Sequence, residues 1–439
     1  MAIRIDFARM MAPRVAGGAT EAEWRTLSNR FTAVHEAVTA DAAAGRYGFL
    51  ELESQAAEHD RVRAFTGPLR GRYSDVVVLG IGGSALGAIA LRTALGDAFA
   101  GANLHVADNV DPAPIAALLK RVDLARTLFC VISKSGTTVE TLAQYALVRA
   151  AIDRDHRQPA KHLAFVTDPA AGPLREIAVR DHIPAFDVPT NVGGRFSVLT
   201  PVGTLPASFA GFDTSALLAG AREMRERCAA AELKANPAGV FALLQWRAHT
   251  QAGRGIHVMM SYADALRDVA PWFVQLWAES LGKINASGQP VGPTPVAARG
   301  ATDQHSQLQL YMEGPADKTV AFLVEREHRT DLKLAGAALA PVVEHLRGRT
   351  LGELLDAEQR ATADALASAG RPSLNIELDV CDAHHVGALM MLLMKATVYA
   401  GALYQVNPLD QPGVELGKRL AREALLTPRR ATPASRWAV

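Results

Sequence analysis

Two short polar turns in this sequence have the composition of anion-binding sites. The first, GIGGSALG, follows an apolar run at residues 75–81 and contains Gly83 and Ser84. The second, SKSGTTVETL, follows an apolar run that ends at Ile132. Glycine lets backbone N–H groups approach a ligand closely, and a helix that begins after such a turn adds its unpaired first-turn N–H groups. Both turns are therefore candidates for holding a phosphate.

The second turn concentrates hydrogen-bond donors. Its candidate phosphate-binding residues are Ser133, Lys134, Ser135, Gly136, Thr137 and Thr138. A capping box between Thr137 and Glu140 would account for two residues of this segment without any ligand. Four hydroxyls and an ammonium exceed what a cap requires, and they suit a phosphate dianion at a helix N-terminus. This turn therefore predicts a phosphate site.

The first turn also fits a looser motif. Gly80, Gly82 and Ala85 satisfy the dinucleotide pattern G-x-G-x-x-[GA], and Asp108 ends the next apolar run, where an acidic residue would hold a ribose hydroxyl. No Lys-Ser or Lys-Thr pair follows the glycines, which excludes a triphosphate P-loop. A nicotinamide-dependent dehydrogenase that uses the Gly80 turn stays open on these residues alone.

A parallel sheet is the element that would position both turns. Apolar runs alternate with helix-length segments over residues 75–188, and a second series begins near Pro206, a pattern typical of parallel sheets with helices on both faces. The strands are predicted at residues 75–81, 103–107, 127–132, 162–167, 183–188, 256–261, 295–298, 319–325 and 374–378. The predicted α/β architecture comprises an N-terminal helical arm (1–66, with helices at 21–44 and 51–62), a first lobe (67–205), a second lobe with C-terminal helices (206–426) and a flexible tail (427–439).

Composition excludes several classes of protein. The 439 residues carry 46 basic and 45 acidic side chains, so no overall charge recruits nucleic acid or an anionic membrane. The three cysteines form no C-x-x-C pair, which argues against a disulfide framework or a structural zinc site and favours the cytoplasm. The apolar run at 386–404 contains Lys395 and predicts a buried helix rather than a membrane span.

Six motifs, in order, resemble those of the glucose-6-phosphate isomerase family, also called phosphoglucose isomerases, in a compact bacterial-type form. They are GIGGSALG, SKSGTTVET, VGGRFSVLTPVG, QLWAESLGK, ATDQHSQLQLYMEG and NPLDQPGVELGK, spread between Gly80 and Lys418. The resemblance implies two sugar isomerase (SIS) lobes of flavodoxin-like topology, with a sugar phosphate bound between them and neither cofactor nor metal. The implied activity is reversible isomerisation of D-glucose 6-phosphate and D-fructose 6-phosphate through ring opening and a cis-enediol intermediate.

Glu279 matches the catalytic base of this family. A helix is predicted over residues 270–283, and Glu279 lies at the edge of its apolar face. That face consists of Trp272, Phe273, Leu276 and Trp277. Helical geometry alone favours a solvated ion pair between Glu279 and Lys283, four residues later, and only the resemblance to the family reverses this preference. Gln275, one turn before Glu279 on the same side, is a candidate for orienting the substrate hydroxyls.

The resemblance assigns the remaining roles. It implies that His305 and Lys418 open the sugar ring, that Arg195 stabilises the enediolate, and that the protein is a homodimer in which His305 crosses the interface. Gly83 and Ser84 match the family's contacts to the sugar hydroxyls, and residues 133–138 match its phosphate loop. A non-catalytic SIS-type sugar-phosphate sensor is the third alternative, because it would keep residues 133–138 without needing the four catalytic groups.

Overall fold

The N-terminal segment contains one strand and two helices. The computed structural model describes residues 3–96, 101–335 and 341–426. Strand β1 spans Ile3–Asp6, helix α1 spans Glu21–Ala43 and helix α2 spans Ala56–Thr66. Helix α1 lies where the sequence predicts it, and Thr20 begins it in a capping box with Glu23. The second helix begins later than predicted, because the residues before it form turns tied together by the Gln55 amide, which donates to the carbonyl of Gly48.

The first lobe is built on a parallel sheet. Its strands are β2 (Asp75–Leu79), β3 (Asn103–Ala107), β4 (Thr127–Ile132), β5 (Leu163–Thr167) and β6 (Ala185–Asp187). Its helices are α3 (Leu86–Leu95), α4 (Pro112–Arg121), α5 (Val139–Arg154) and α6 (Pro173–Arg180), and α7 (Pro201–Phe209) follows them. Within the described residues the strand order is β3-β2-β4-β5-β6, the flavodoxin-like order in which the chain switches direction at β2. Every residue of β4 is buried, as expected for a strand covered on both faces.

The second lobe repeats this design with a borrowed edge strand. Its parallel strands are β7 (Ile256–Ser261), β10 (Thr294–Arg299), β11 (Lys318–Glu325) and β12 (Ser373–Leu378), and a short hairpin pairs β8 (Lys283–Ile284) with β9 (Pro290–Val291). In the part of the chain that the structure describes, the order is β1-β12-β11-β7-β10, with β1 antiparallel to β12. The prediction of a helical arm at 1–66 is therefore incomplete, because the first residues of this segment form a strand that extends the sheet of the second lobe. A strand of four residues carries too little pattern to be recognised without its partner β12.

The helices of the second lobe bury one long apolar helix. They are α8 (Thr214–Arg227), α9 (Pro237–Ala252), α10 (Val269–Leu281), α11 (Leu308–Glu313), α12 (Leu351–Ser368), α13 (Ala383–Tyr404) and α14 (Glu415–Leu426). By length and composition α13 could cross a membrane, but almost all of it is buried inside the protein, as the sequence predicts. Gly220 and Gly387 allow α8 and α13 to touch, since a Cβ on either would overlap a carbonyl oxygen of the other helix.

Both candidate turns lie at the carboxyl ends of neighbouring strands. The turn at residues 82–84 follows β2, and the turn at 133–138 follows β4, its neighbour in the sheet. Because β3 and β4 lie on opposite sides of β2, these turns flank the topological switch point, where open α/β sheets bind ligands. The lobe boundaries at 67, 205 and 426 stay predictions, and the predicted tail at 427–439 lies outside the described residues.

Candidate active site

The turn at residues 133–138 leaves a helix N-terminus open. The hydroxyls of Ser133 and Thr138 hydrogen bond to each other at 2.8 Å, and those of Ser135 and Thr137 do so at 2.9 Å. Helix α5 begins after Thr138, and no side-chain hydrogen bond caps it. The capping box that would have explained this segment without a ligand is therefore absent. The first-turn N–H groups of α5 and the paired hydroxyls are the donors that an anion needs.

The sequence suggests that Lys134 presents a positive charge to phosphate, and in the structure its ammonium makes other contacts. Its ammonium donates to the carbonyl oxygens of Thr190 and Val192, each at 2.8 Å. Burial lowers the pKa of Lys134 from its ordinary value, and the nearby Asp168 carboxylate opposes this effect. The side chain thus ties the turn at residues 133–138 to the loop that leads into Arg195, while its charge stays beside the turn.

The glycine turn at residues 82–84 meets two other parts of the site. A Cβ on Gly83 would lie 2.4 Å from the carbonyl oxygen of Gly194, and a Cβ on Gly82 would lie 2.9 Å from the Gln275 amide nitrogen. Gly82 also has a φ of +57°, which side chains other than that of glycine rarely adopt. Glycines here let the turn touch both the Arg195 loop and helix α10. Ser84 closes the same turn.

Glu279, Arg195 and Gln275 form one connected group. Arg195 Nη1 lies 3.1 Å from Glu279 Oε2, and the Gln275 amide donates to Glu279 Oε1 at 3.3 Å. The predicted apolar face of α10 is buried, and Glu279 lies at its edge, half-exposed. Gln275 Oε1 is buried and has no hydrogen-bond partner among the described residues. An acceptor in this position suits a substrate hydroxyl, because a buried polar atom without a partner is costly.

Arg195 is enclosed by acceptors that sequence reasoning missed. Its guanidinium donates to Ser280 Oγ at 2.7 Å, to Gln411 Oε1 at 3.0 Å, to the Asp410 carbonyl oxygen at 2.9 Å and to the carbonyl oxygen of Pro408. The side chain is only 2 % exposed. Burial lowers the pKa of Arg195, and the ion pair with Glu279 opposes this effect. Ser280 and Gln411 lie inside two of the six sequence motifs, and this placement is the signal by which sequence reasoning could have found them.

Lys283 does not pair with Glu279. Its ammonium lies 2.8 Å from Asp410 Oδ1, and the side chain is 7 % exposed. Burial lowers the pKa of Lys283, while the hydrogen bond and the charge of Asp410 oppose this effect. Instead of the solvated Glu279–Lys283 pair that helical geometry allows, the structure contains two other ion pairs, Arg195–Glu279 and Lys283–Asp410.

His305 and Lys418 stand apart from this group within one chain. His305 ends a short 3₁₀ turn after β10, is exposed, and has no hydrogen-bond or ion-pair partner in the described part of the chain. Lys418 lies on α14, pairs with Glu415 at 2.8 Å and is 64 % exposed. Their roles stay predictions. Across the described ranges, no cluster of three or more His, Cys, Asp or Glu side chains could hold a metal ion.

Comparison with known proteins gives the family. The family model described as phosphoglucose isomerase matches residues 52–436. A glucose-6-phosphate isomerase of Rubrobacter xylanophilus is 42 % identical over 440 residues, which cover 95 % of this chain and 96 % of that protein. The chain belongs to the phosphoglucose isomerase family. Its two larger sheets are mostly parallel and flanked by helices, and the predicted α/β architecture of two SIS-type lobes is confirmed.

Two crystal structures resemble this member of the phosphoglucose isomerase family over most of its length. A hypothetical protein from Thermus thermophilus superposes with a TM-score of 0.89 at 38 % identity and covers 97 % of this chain and 100 % of its own. A glucose-6-phosphate isomerase from Chlamydia trachomatis superposes with a TM-score of 0.76 at 25 % identity, covering 84 % of this chain and 73 % of its own.

Proposed function

We propose that this protein catalyses the reversible isomerisation of D-glucose 6-phosphate and D-fructose 6-phosphate. The observation that carries the proposal is a connected group of a carboxylate, a buried guanidinium and an amide oxygen without a partner among the described residues. This group touches the 82–84 turn, whose strand neighbours the one that leads to the open N-terminus of α5. A carboxylate can move a proton, a fixed cation can stabilise an enediolate, and a helix N-terminus can hold the phosphate. Membership of the phosphoglucose isomerase family supports the same activity.

Each side chain of the group has a distinct part in the proton transfer. Glu279 takes the proton from C2 of the open-chain aldose and returns it to C1, while the proton of the C2 hydroxyl passes to the oxygen on C1, so the isomerisation is redox-neutral overall. Arg195 stabilises the negative charge that develops on the enediolate oxygen between these steps. Gln275, with Gly83 and Ser84, orients the sugar hydroxyls, and residues 133–138 bind the phosphate.

Ring opening and the oligomeric state belong to the same proposal. Both substrates are predominantly rings in solution, so an acid and a base must act on the ring oxygen and on the hydroxyl that becomes the carbonyl. We assign this step to His305 and Lys418 on their match to the family. The His305 side chain has no partner among the residues that the structure describes, which supports a homodimer in which it serves the other subunit's site. We also propose a cytoplasmic location, because Cys130, Cys228 and Cys381 are free and buried.

A complementation experiment tests the shared site. A Glu279→Gln chain is refolded together with a His305→Ala chain, each inactive by itself. In a mixed dimer with exchanged histidines, one site is native and the other carries both lesions. Random pairing makes about half the dimers mixed and should restore about a quarter of native activity. Recovery no higher than the average of the two separate variants would show that His305 acts within its own chain.

The activity itself is tested by a coupled assay for glucose 6-phosphate formed from fructose 6-phosphate, with and without EDTA. We expect turnover that is unchanged by the chelator. A thermal-shift panel with fructose 6-phosphate and NADH runs beside it, because a ligand of the folded state raises the melting temperature by mass action. Stabilisation by NADH alone would favour a dehydrogenase, and stabilisation by the sugar phosphate without turnover would favour a sensor.

A further inference from the structure

The loop at residues 407–411 lies between two buried cations. On one side the Lys283 ammonium pairs with Asp410 and donates to the carbonyl oxygen of Asn407. On the other side the Arg195 guanidinium donates to the carbonyl oxygens of Pro408 and Asp410. Both cations are nearly excluded from solvent. The backbone and side-chain acceptors of this one loop are therefore shared between Lys283 and Arg195.

The loop is also braced internally. The Asn407 amide donates to Asp410 Oδ2 at 3.0 Å, and the backbone N–H of Leu409 donates to Asn407 Oδ1 at 3.1 Å. Asp410 thus receives hydrogen bonds from Lys283 and Asn407 on its two carboxylate oxygens. Lys283 is therefore connected, through Asp410 and the carbonyl oxygen of Asn407, to the same loop whose carbonyl oxygens hold Arg195.

We propose that Lys283 and Asp410 are positioning residues for Arg195, and that their ion pair holds the loop in the conformation that aims the guanidinium at Glu279. The inference rests on the proposed function, because its consequence is a slower proton transfer. Neither residue touches the reacting atoms. They act on the reaction through the carbonyl oxygens that hold Arg195.

Electrostatics gives Lys283 a second effect on the same target. The Asp410 carboxylate is close enough to contribute to the charge environment of Arg195. Lys283 neutralises that carboxylate, so the guanidinium remains available to Glu279 and to the enediolate. Without Lys283 the Asp410 carboxylate, whose side chain is 52 % exposed, would lose its buried ammonium partner and would compete with Glu279 for the Arg195 guanidinium.

A purely structural role would give a different result, and the chain contains a matched control for it. Lys318 is 6 % exposed, pairs with Asp317 and donates to the carbonyl oxygen of Pro315. It therefore resembles Lys283 in burial and in its partners. Lys318 begins β11, at the amino end of the second sheet, whereas the candidate site lies at carboxyl ends. Loss of either ammonium should cost similar stability, but only Lys283 should affect turnover.

The experiment compares Lys283→Met, Asp410→Asn, the double variant and Lys318→Met in the full-length protein. For Lys283→Met we expect kcat to fall about 10–100-fold, the range expected when a catalytic group is displaced by about 1 Å. KM should change little, because Arg195 acts on charge that develops only in the transition state. Lys318→Met should keep the kcat of the unaltered protein, and thermal unfolding of all variants checks that they are folded.

Two further comparisons make the inference falsifiable. The double variant should lose much less than the product of the two single losses, because both substitutions break one ion pair. Lys283→Arg, which keeps the charge, should recover much of the kcat that Lys283→Met loses. The inference would be overturned if Lys283→Met and Lys318→Met had equal kcat. It would also be overturned if Lys283→Arg did not restore kcat and the kcat losses of the two single variants multiplied in the double variant. If Lys283→Met does not fold, Asp410→Asn is compared with Lys318→Met instead. Failure of the unaltered protein to isomerise would refute the proposed function, which is a separate outcome.

Discussion

The phosphate turn and the Arg195–Glu279 junction are assembled in opposite ways. The turn is made by consecutive residues, 133–138, whose hydroxyls pair with each other. The junction joins helix α10, the loop before Arg195 and the loop at 407–411, and one of its hydrogen bonds links residues 216 positions apart. One region can be identified from a short window of sequence, whereas the other exists only once both lobes have folded.

The two regions also treat charge differently. The hydroxyls of the turn pair with each other rather than with a carboxylate, and the Asp168 carboxylate acts on the charge of Lys134, so the turn keeps donors for an incoming anion. At the junction the guanidinium already has a carboxylate partner, and substrate must share Arg195 with Glu279. Variants of the junction should therefore change turnover, whereas variants of the turn should change substrate binding.

Glu279→Gln should have the largest effect. The substitution keeps the shape of the side chain and removes the base, so kcat should fall by roughly 10²–10⁴, as for other positioned general bases. Binding of fructose 6-phosphate, measured by thermal shift, should persist. Glu313→Gln is the matched control, because Glu313 also accepts from a glutamine four residues earlier, at 2.8 Å, at the exposed end of α11. Near-normal turnover of Glu279→Gln would mean that another carboxylate is the base.

Arg195→Lys should follow in size. Lysine keeps the charge but offers three donors from one point, so it cannot serve Glu279, Ser280 and the 407–411 loop together. We expect kcat to fall by about 10²–10³, the loss typical when one stabilising donor is removed from a developing oxyanion. Steady-state kinetics should show KM changing less than kcat. A loss confined to KM would place Arg195 in ground-state binding and contradict the junction's proposed role.

The contrast between the two regions also explains which features of the structure can be predicted from the sequence. Strands 103–107, 127–132 and 256–261 have the predicted bounds. The last two are almost entirely buried, whereas 103–107 is a partly exposed edge strand that is recognisable because turn residues and a helix-length segment flank it. The apolar face of α10 and the position of Glu279 at its edge follow from helical periodicity in the same way. The turn at 133–138 was recognisable because its donors are neighbours in the chain.

Features that depend on distant partners were not predictable from local pattern. Strand β1 has only four residues, and its register is set by β12 near the other end of the chain. The expected contact of Lys134 with a phosphate stays a prediction, and the sequence did not indicate that two of its three N–H donors go to the carbonyl oxygens of residues 190 and 192. Lys283 could have paired with Glu279 by helical spacing, yet Asp410 is its partner. In each case the deciding atom lies in a segment whose position only the tertiary fold determines.

Thr138→Val should have a smaller effect than the two junction variants, and this effect should be on substrate binding. It removes a hydroxyl of the Ser133–Thr138 pair while keeping the side-chain shape. A hydrogen bond to a charged group contributes about 1.5–3 kcal/mol, so KM should rise roughly 10–100-fold with kcat nearly unchanged. Thr26→Val is the control, because Thr26 donates to a backbone carbonyl of an exposed helix, at 3.2 Å. A fall in kcat with an unchanged KM would remove the distinction between the two regions.

Gly136→Ala should have the smallest effect and separates strain from binding. Gly136 has a φ of +67°, and a Cβ there would lie 3.2 Å from the Leu174 backbone nitrogen and 3.3 Å from Thr167 Oγ1. A left-handed alanine costs about 1–2 kcal/mol of unfolding free energy, which chemical denaturation measures. Gly71→Ala is the control, because its φ is +75° but nothing lies within 4 Å of a Cβ. Both variants should lose similar stability, whereas only Gly136→Ala should raise KM, since its crowding shifts the hydroxyls of the turn. If KM is unchanged in Gly136→Ala, the phosphate does not depend on the shape of this turn, and the contrast with the long-range junction loses its functional meaning.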